Sequence, residues 1–446
     1  MADVAVVGAG LGGLAAAARL AKLGHHVTLF ERLDTAGGAM RPVESAGYRW
    51  DGGPTAVTLP AVLRDLFRTS GRPIERYVDL VARDVARRHV FTDGTVVDLP
   101  VGSRGPQISA VDAGLGHGAG EKWAAYVDAQ TATWETLRTQ VLDPPDGGLA
   151  YAEAAVAKRL KARATVAKLV QRAFKDERLR TMATHQVLAA GSLPRDVPAY
   201  GALEPYIERS FGVWDVRGGM GSLVDALVTR LDERGVDVTY DAEIVAIHAD
   251  ADAVSGVETA SGSFHAAQVV VTDLDPRAVF GRLLQHPAAE AGRRVFDVAT
   301  PAIPMSATHL GLRGDVPDLP AEVVLHGDPL IVVTTTDGAP AGCRAWTVHH
   351  RGAPGEDIVV TMVRRGLDVR NLVVARLERD AVAQIQATAA SPYGLAWAGH
   401  RAHARRAALV QPLLGLHLVG SGVHPGAGIP YVGWGAAHVA ARVGRA

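Results

Sequence analysis

Three glycines spaced Gly8-x-Gly10-x-x-Gly13, with an acidic Glu31 eighteen residues beyond the last, are the residues of this 446-residue chain best fitted for chemistry. Such spacing holds a dinucleotide. Gly8 permits a tight turn, Gly10 lets the backbone approach a pyrophosphate, and Gly13 lets a helix lie close on a strand with its N-terminus facing the phosphates. Glu31 can accept hydrogen bonds from a ribose. The elements that must position them are legible around them. Val4–Val7 is an apolar run that predicts a strand, the Ala-rich stretch from Gly13 to Leu23 predicts a helix ended by Gly24, and His26–Phe30 predicts a second strand that delivers Glu31.

A second set of glycines chooses between cofactors. Gly37-Gly38 follows the acidic strand end, and GYRWDGGPT places Asp51, Gly52, Gly53, Pro54 and Thr55 soon after. A nicotinamide enzyme has no special use for that pair. In flavoproteins of the glutathione-reductase and amine-oxidase type, such a pair and a following Asp-x-Gly run along an extended FAD. Near the far end, Leu416–Val443 reads as an apolar strand, a loop carrying Gly420, Gly422, Gly426 and Gly428, and a helix. Backbone N–H groups in such a loop can approach a flat, electron-rich ring. Flavin chemistry needs a hydride acceptor at N5 and a weak base or water for the proton, while the protein supplies orientation and excludes water. The groups best placed in sequence to face a reacting carbon are His424, Tyr431 and Trp434 from the late loop, with His185 a distant fourth.

Composition fits a large globular enzyme. Hydrophobic residues make up 48% and charged residues 21% of the chain, so disorder is not expected. Lys and Arg number 46 against 47 Asp and Glu, a net charge of −1 that draws no nucleic acid. Cys343 is the only cysteine, which excludes an internal disulfide and a cysteine metal cluster. The apolar stretch Val4–Ala18 is too short to span a bilayer, and prolines and glycines break the longer one at 407–441. With no basic segment ahead of Val4, no secretory leader is expected and the cytoplasm is the default.

Along the chain, 60–83 reads as mostly helical, 87–100 as two strands joined at Asp93-Gly94, 103–120 as a Gly-rich loop, 121–141 as a helix, and a further helix begins near Tyr151 and continues past Lys175. From Gly218 the nucleotide pattern resumes. Leu223, Leu227 and Leu231 mark an amphipathic helix ended by Gly235, and strands follow to 276. These late strands predict an interrupted nucleotide domain. The expected fold class is α/β, a Rossmann-type FAD-binding domain formed by 1–75, 211–300 and 406–446, interleaved with an α+β substrate domain formed by 76–210 and 301–405.

Gly8–Gly13 with Glu31 and Gly37-Gly38, GYRWDGGPT, FGVWDVRGGMGSLVDAL (211–227) and GSGVHPGAGIPYVGWGAA (420–437) together resemble the bacterial phytoene desaturase family of carotenoid desaturases and related FAD oxidoreductases. The resemblance runs in order through the whole chain. It implies an amine-oxidase-like FAD fold in which Gly8, Gly10 and Gly13 hold the pyrophosphate, Glu31 the adenosine ribose, and Arg32 flanks the adenine. It also implies that Gly38 and Asp51 to Thr55 lie near the ribityl chain and flavin, that Glu243 and Ile244 meet the adenine through their backbone, and that Gly422 to Ile429 pass the isoalloxazine. Asp273 fits the related strand end after Val271. Two departures stand out: Ala39-Met40 follows the Gly pair where many relatives have Arg, leaving Arg41 to supply that contact, and Tyr431 and Trp434 are bulkier than the family's usual residues. The implied activity is desaturation of an isoprenoid or another unsaturated lipophile, with oxygen or a quinone as electron acceptor. A redox-neutral polyene isomerase and a non-catalytic module of the GDP-dissociation-inhibitor type are the alternatives. Finally, 151–175 carries Lys158, Arg159, Lys161, Arg163, Lys168, Arg172 and Lys175 against a single Glu153, which permits peripheral contact with an anionic membrane or a solvated basic face.

Overall fold

A parallel five-stranded sheet organises the chain, with strands in the order Leu416–Leu418, Val269–Thr272, Asp3–Val7, His26–Phe30 and Asp237–Thr239. The computed structural model describes residues 1–144, 147–296, 299–352, 355–399 and 413–446. Val4 pairs in register with both Val27 and Val269, so the first strand lies at the centre with a neighbour on each side. Parallel strands of this kind are covered on both faces and read as continuous apolar runs, which Val4–Val7 and Val269–Val271 do.

One face of the sheet carries the helices Leu11–Lys22, Met220–Asp232 and Ile429–Val443, whose Leu14, Leu223, Leu227 and Val439 share one core. The other face carries the antiparallel strands Ile244–Asp250, Ala253–Thr259 and Phe264–Ala266. A mixed seven-stranded sheet lies apart, in the order Val373–Arg379, Ser306–Arg313, Cys343–Arg351, Leu330–Thr336, Glu322–Leu325, Val85–Val90 and Val96–Pro100. The helices between Arg104 and Phe211 pack beside it through Trp123, Tyr126 and Phe174, and through Trp134, Val141 and Leu160 they meet Leu59, Tyr431 and Trp434.

The structure corrects four stretches. The helix expected over 60–83 ends at Ser70, because Gly71 takes φ +116 and Pro73 follows, and Leu80–Ala82 is a strand paired with Trp214–Val216. The expected loop at 103–120 contains a helix, Arg104–Leu115. Its glycines serve packing: a Cβ on Gly114 would collide with the Val96 carbonyl, and one on Gly120 with the Ile108 backbone. The helix expected over 121–141 is two, Ala119–Asp128 and Thr131–Leu137, continued by a wider turn through Leu142. The helix expected from Tyr151 is also broken, into Ala154–Arg159 and Val166–Ala173. Val156, Leu160, Val166, Val170 and Phe174 are buried inside, so the exposed surface there is left with the cations and without a continuous apolar face.

Among the described residues, no helix is long and apolar enough to cross a membrane. The start of the 407–441 stretch and the expected boundary at 405–406 lie outside the described residues.

Candidate active site

The turn from Gly8 to Gly13 is built for close approach. Gly8 adopts φ +96, and a Cβ on Gly13 would overlap the Gly8 carbonyl oxygen. Gly10 precedes the helix Leu11–Lys22 in extended conformation and offers no side-chain cap, so the first-turn amides need outside acceptors. Glu31, buried at the end of its strand, accepts from the Ala9 amide at 2.8 Å and the Leu33 amide at 3.0 Å. Each of its oxygens retains a further lone pair for a ribose hydroxyl.

The second glycine pair docks on the first loop. The Gly37 amide donates to the Ala9 carbonyl at 2.8 Å, and a Cβ on Gly38 would stand 3.1 Å from the Gly10 Cα. Gly52 and Gly53 run against the backbone of Ala39–Arg41, where Cβ atoms would collide with the Arg41 and Ala39 carbonyls. Pro54 and Thr55 follow, half-buried. Asp51 plays a different part, since its Oδ1 accepts from the Met220 amide at 2.7 Å and so caps the helix Met220–Asp232. Burial pushes its carboxyl up to about 6 despite that bond. Arg32 and Arg41 both donate to the Ala387 carbonyl, at 3.4 Å each, beside the C-terminus of a helix that favours cations.

Ala242 donates to the Glu31 carbonyl at 2.8 Å, which brings Glu243 and Ile244 beside Glu31. The Ile244 side chain is buried, while Glu243 is exposed and its carbonyl accepts from Ala260. Asp273 reaches into the glycine turn itself. Its Oδ2 accepts from the Gly13 amide at 3.1 Å, and Cβ atoms on Gly10, Gly12 or Gly420 would collide with its carboxyl group. Burial raises this carboxyl to about 7, Glu31 adds to the rise, and the Gly13 and Gly12 amides oppose it. The glycine cradle and the Glu31 lone pairs fit the pyrophosphate and ribose of FAD.

The late loop closes a cavity. Gly422 packs on Pro276, Gly426 takes φ +130, and Gly428, at φ +113, leads into the helix that starts with buried Ile429. Pro425, Gly426 and Ala427 border a solvent-open pocket with a cavity volume of about 180 Å³. Its walls are mostly apolar, with Trp134, Leu137, Tyr200 and Trp397 among them. Tyr431 lines this pocket, and its hydroxyl donates to Glu204 at 3.4 Å. Trp434 stacks on Tyr431 with ring centres 6.3 Å apart and supports it from the core beside Leu59. His424 is buried, its Nε2 3.2 Å from the Val141 carbonyl and its ring stacked on His438. His185, buried on the helix Glu177–Ala189, faces His89 and His326 while Ala183, Gln186 and Val187 of the same helix face the pocket. Burial pushes its pKa well below the usual histidine range.

Sequence reasoning missed Glu204. It begins the helix Glu204–Phe211, lines the pocket, and is raised to about 7 chiefly by burial and next by Glu208. Its only local signal was an acid just before Pro205 at a helix start, which is an ordinary terminus pattern.

Comparison with known proteins agrees with this geometry. The model of the flavin containing amine oxidoreductase family matches residues 11–295, and the chain belongs to that family. A 4,4'-diapolycopene oxygenase of Methylomonas sp is 28% identical over 96% of this chain and 95% of its own. A hydroxyneurosporene desaturase of Cereibacter sphaeroides is 28% identical over 98% of this chain and 96% of its own. Among solved structures, cyclohexylamine oxidase of Brevibacterium oxydans superposes with a TM-score of 0.68 at 17% identity, covering 99% of both chains, a likeness of fold. The chain is therefore an FAD-dependent oxidoreductase of Rossmann-type α/β fold with a second, substrate-binding part.

Proposed function

We propose that this enzyme dehydrogenates an isoprenoid or similar unsaturated lipophile held in the pocket between the late glycine loop and the helices Thr131–Leu137, Glu177–Ala189 and Glu204–Phe211. The observation that carries this reading is the pocket itself, an apolar chamber bordered by Pro425–Ala427, the loop whose glycines fit a flat ring. FAD, when bound, supplies the acceptor for a hydride from the substrate. The chain's residues do the rest. Gly8, Gly10, Gly13 and Glu31 hold the nucleotide end, Asp51 fixes the 51–55 segment by capping the helix at Met220, and the apolar walls orient the substrate and exclude water. Of the three candidates from the late loop, Tyr431 is the one that lines the chamber, Trp434 braces it, and His424 ties the loop to Val141.

The division into an FAD-binding part (1–75, 211–300, 406–446) and a substrate part (76–210, 301–405) is supported by the sheets, because the parallel strands fall in the first set and the seven-stranded sheet in the second. Oxygen or a quinone is the expected electron acceptor, since the chain carries a single dinucleotide fingerprint. The basic surface within 151–175 supports contact with an anionic bilayer through charge, its apolar residues being committed to the core.

Co-expression in a phytoene-producing bacterial host, with extracts analysed by mass, tests the substrate class. Loss of hydrogen pairs is the expected result. New isomers of unchanged mass would establish the redox-neutral alternative, and untouched phytoene beside flavin-loaded protein would move the assignment to smaller lipophiles.

A further inference from the structure

Two polar side chains of the pocket are engaged with protein partners. The Gln186 amide donates to Glu208 at 2.7 Å, and the Ser192 hydroxyl accepts from the Trp397 amide at 3.2 Å. Glu204 differs. One turn further along its helix, Glu208 takes both Nη groups of Arg87, and Glu322 takes the Arg87 Nε at 2.6 Å. Arg87 thus faces two carboxylates already, and among the described residues Glu204 has no cation of its own. It holds one long bond, from the Tyr431 hydroxyl at 3.4 Å, while a carboxyl group has about four acceptor sites. Its side chain is half-buried and lines the pocket.

A half-buried carboxyl group with spare capacity, facing a mostly apolar chamber, offers the polar end of a ligand a partner that the surrounding walls do not. We infer that Glu204, steadied by Tyr431, is a specificity-determining residue that anchors the hydroxyl group of a lipophilic alcohol, so that the favoured substrate is a hydrocarbon chain bearing one polar end. A hydroxyl suits the site better than an ammonium. It can donate to the carboxylate or accept from the carboxylic acid, and the environment that raises Glu204 to about 7 holds both forms near neutrality. An ammonium would instead have to be buried in an apolar chamber with one long-bonded carboxylate for a partner. The inference rests on reading this chamber as the substrate site.

The test is calorimetric titration of the FAD-loaded enzyme with three probes of one carbon skeleton: geraniol, its parent hydrocarbon 2,6-dimethyl-2,6-octadiene, and geranylamine. Comparing each probe's change on mutation cancels its own hydration. Glu204→Leu is expected to weaken geraniol about tenfold and to leave the hydrocarbon within about twofold, while Glu204→Gln keeps geraniol within about threefold. Glu204→Met, closer in length, gives the same readout should the Leu variant lose its FAD. Equal losses for geraniol and hydrocarbon would reduce Glu204 to a shape residue and overturn the anchor while leaving the pocket reading intact. Geranylamine binding more tightly than geraniol and collapsing in Glu204→Gln would overturn it in favour of an ammonium site. Failure of the wild-type enzyme to bind any of the probes would overturn the anchor and the pocket reading together.

Discussion

FAD affinity should fall as pH rises above about 7, and Asp273 should be the cause. Its carboxyl accepts from the Gly13 amide, at the helix N-terminus where the glycine turn is shaped for a pyrophosphate. Burial has lifted this group from 3.8 to about 7. A carboxyl raised in this way is favoured in its protonated form, so its contribution is full below 3.8 and is lost as pH rises through 7. Binding of an anionic pyrophosphate adds negative charge beside Asp273 and Glu31, so the bound state keeps the proton that the free protein releases. Linkage then gives one proton taken up on binding, and an association constant that falls about tenfold per pH unit above 7, or about 1.4 kcal/mol. Titrating apoprotein with FAD and following flavin fluorescence at pH 6.5, 7.5 and 8.5 measures this directly, with steps on the order of one pH unit matched to the linkage slope. Asp273→Asn keeps an acceptor for Gly13 and removes the titration, so its affinity should be flat over the same range. A wild-type affinity independent of pH, or an Asn variant with the wild-type slope, would refute the reasoning.

Asp51→Asn should stabilise the protein in mild alkali. Its carboxyl is raised from 3.8 to about 6 by burial, so its favourable contribution is present below 3.8 and lost as pH rises through 6, leaving an ionised form at pH 8 that costs up to about 3 kcal/mol. The amide retains the acceptor for Met220, and thermal melts should show a midpoint a few degrees above wild type at pH 8 and equal to it near pH 4. Arg87→Met should cost about 3–5 kcal/mol, because it strands Glu208 as a buried carboxylate and Glu322 as a half-buried one. Urea unfolding should show this loss, and partial recovery on adding Glu208→Gln would identify uncompensated charge as its origin.

The nucleotide end was readable from the chain because its requirements are local. A turn that needs φ +96 at Gly8, and a helix that comes too close to the strand for any side chain at Gly13, restrict those positions to glycine whatever the rest of the protein does. The same holds for the paired strands around Asp93-Gly94, where turn chemistry and alternation act within a few residues. Glycine was misleading wherever its reason was a distant neighbour. Gly114 and Gly120 looked like loop residues, yet they let one helix lie on Val96 and the next on Ile108.

The charged residues divide in the same way. Glu31 was identifiable because strand length sets its distance from the glycine turn. The roles of Asp51, Asp273 and Glu204 depend on partners far along the chain, namely Met220, Gly13 and Tyr431. Their altered acidities come from burial, a property of the packed whole. Periodicity likewise marked the apolar residues between Tyr151 and Lys175 but left open whether they face a membrane or a core, and the fold buries them. What the sequence determined alone is the nucleotide-binding frame, through short-range steric and hydrogen-bonding demands. What only the tertiary structure decided is the chamber beside it, because its walls come from segments more than a hundred residues apart that meet only when the hydrophobic cores close.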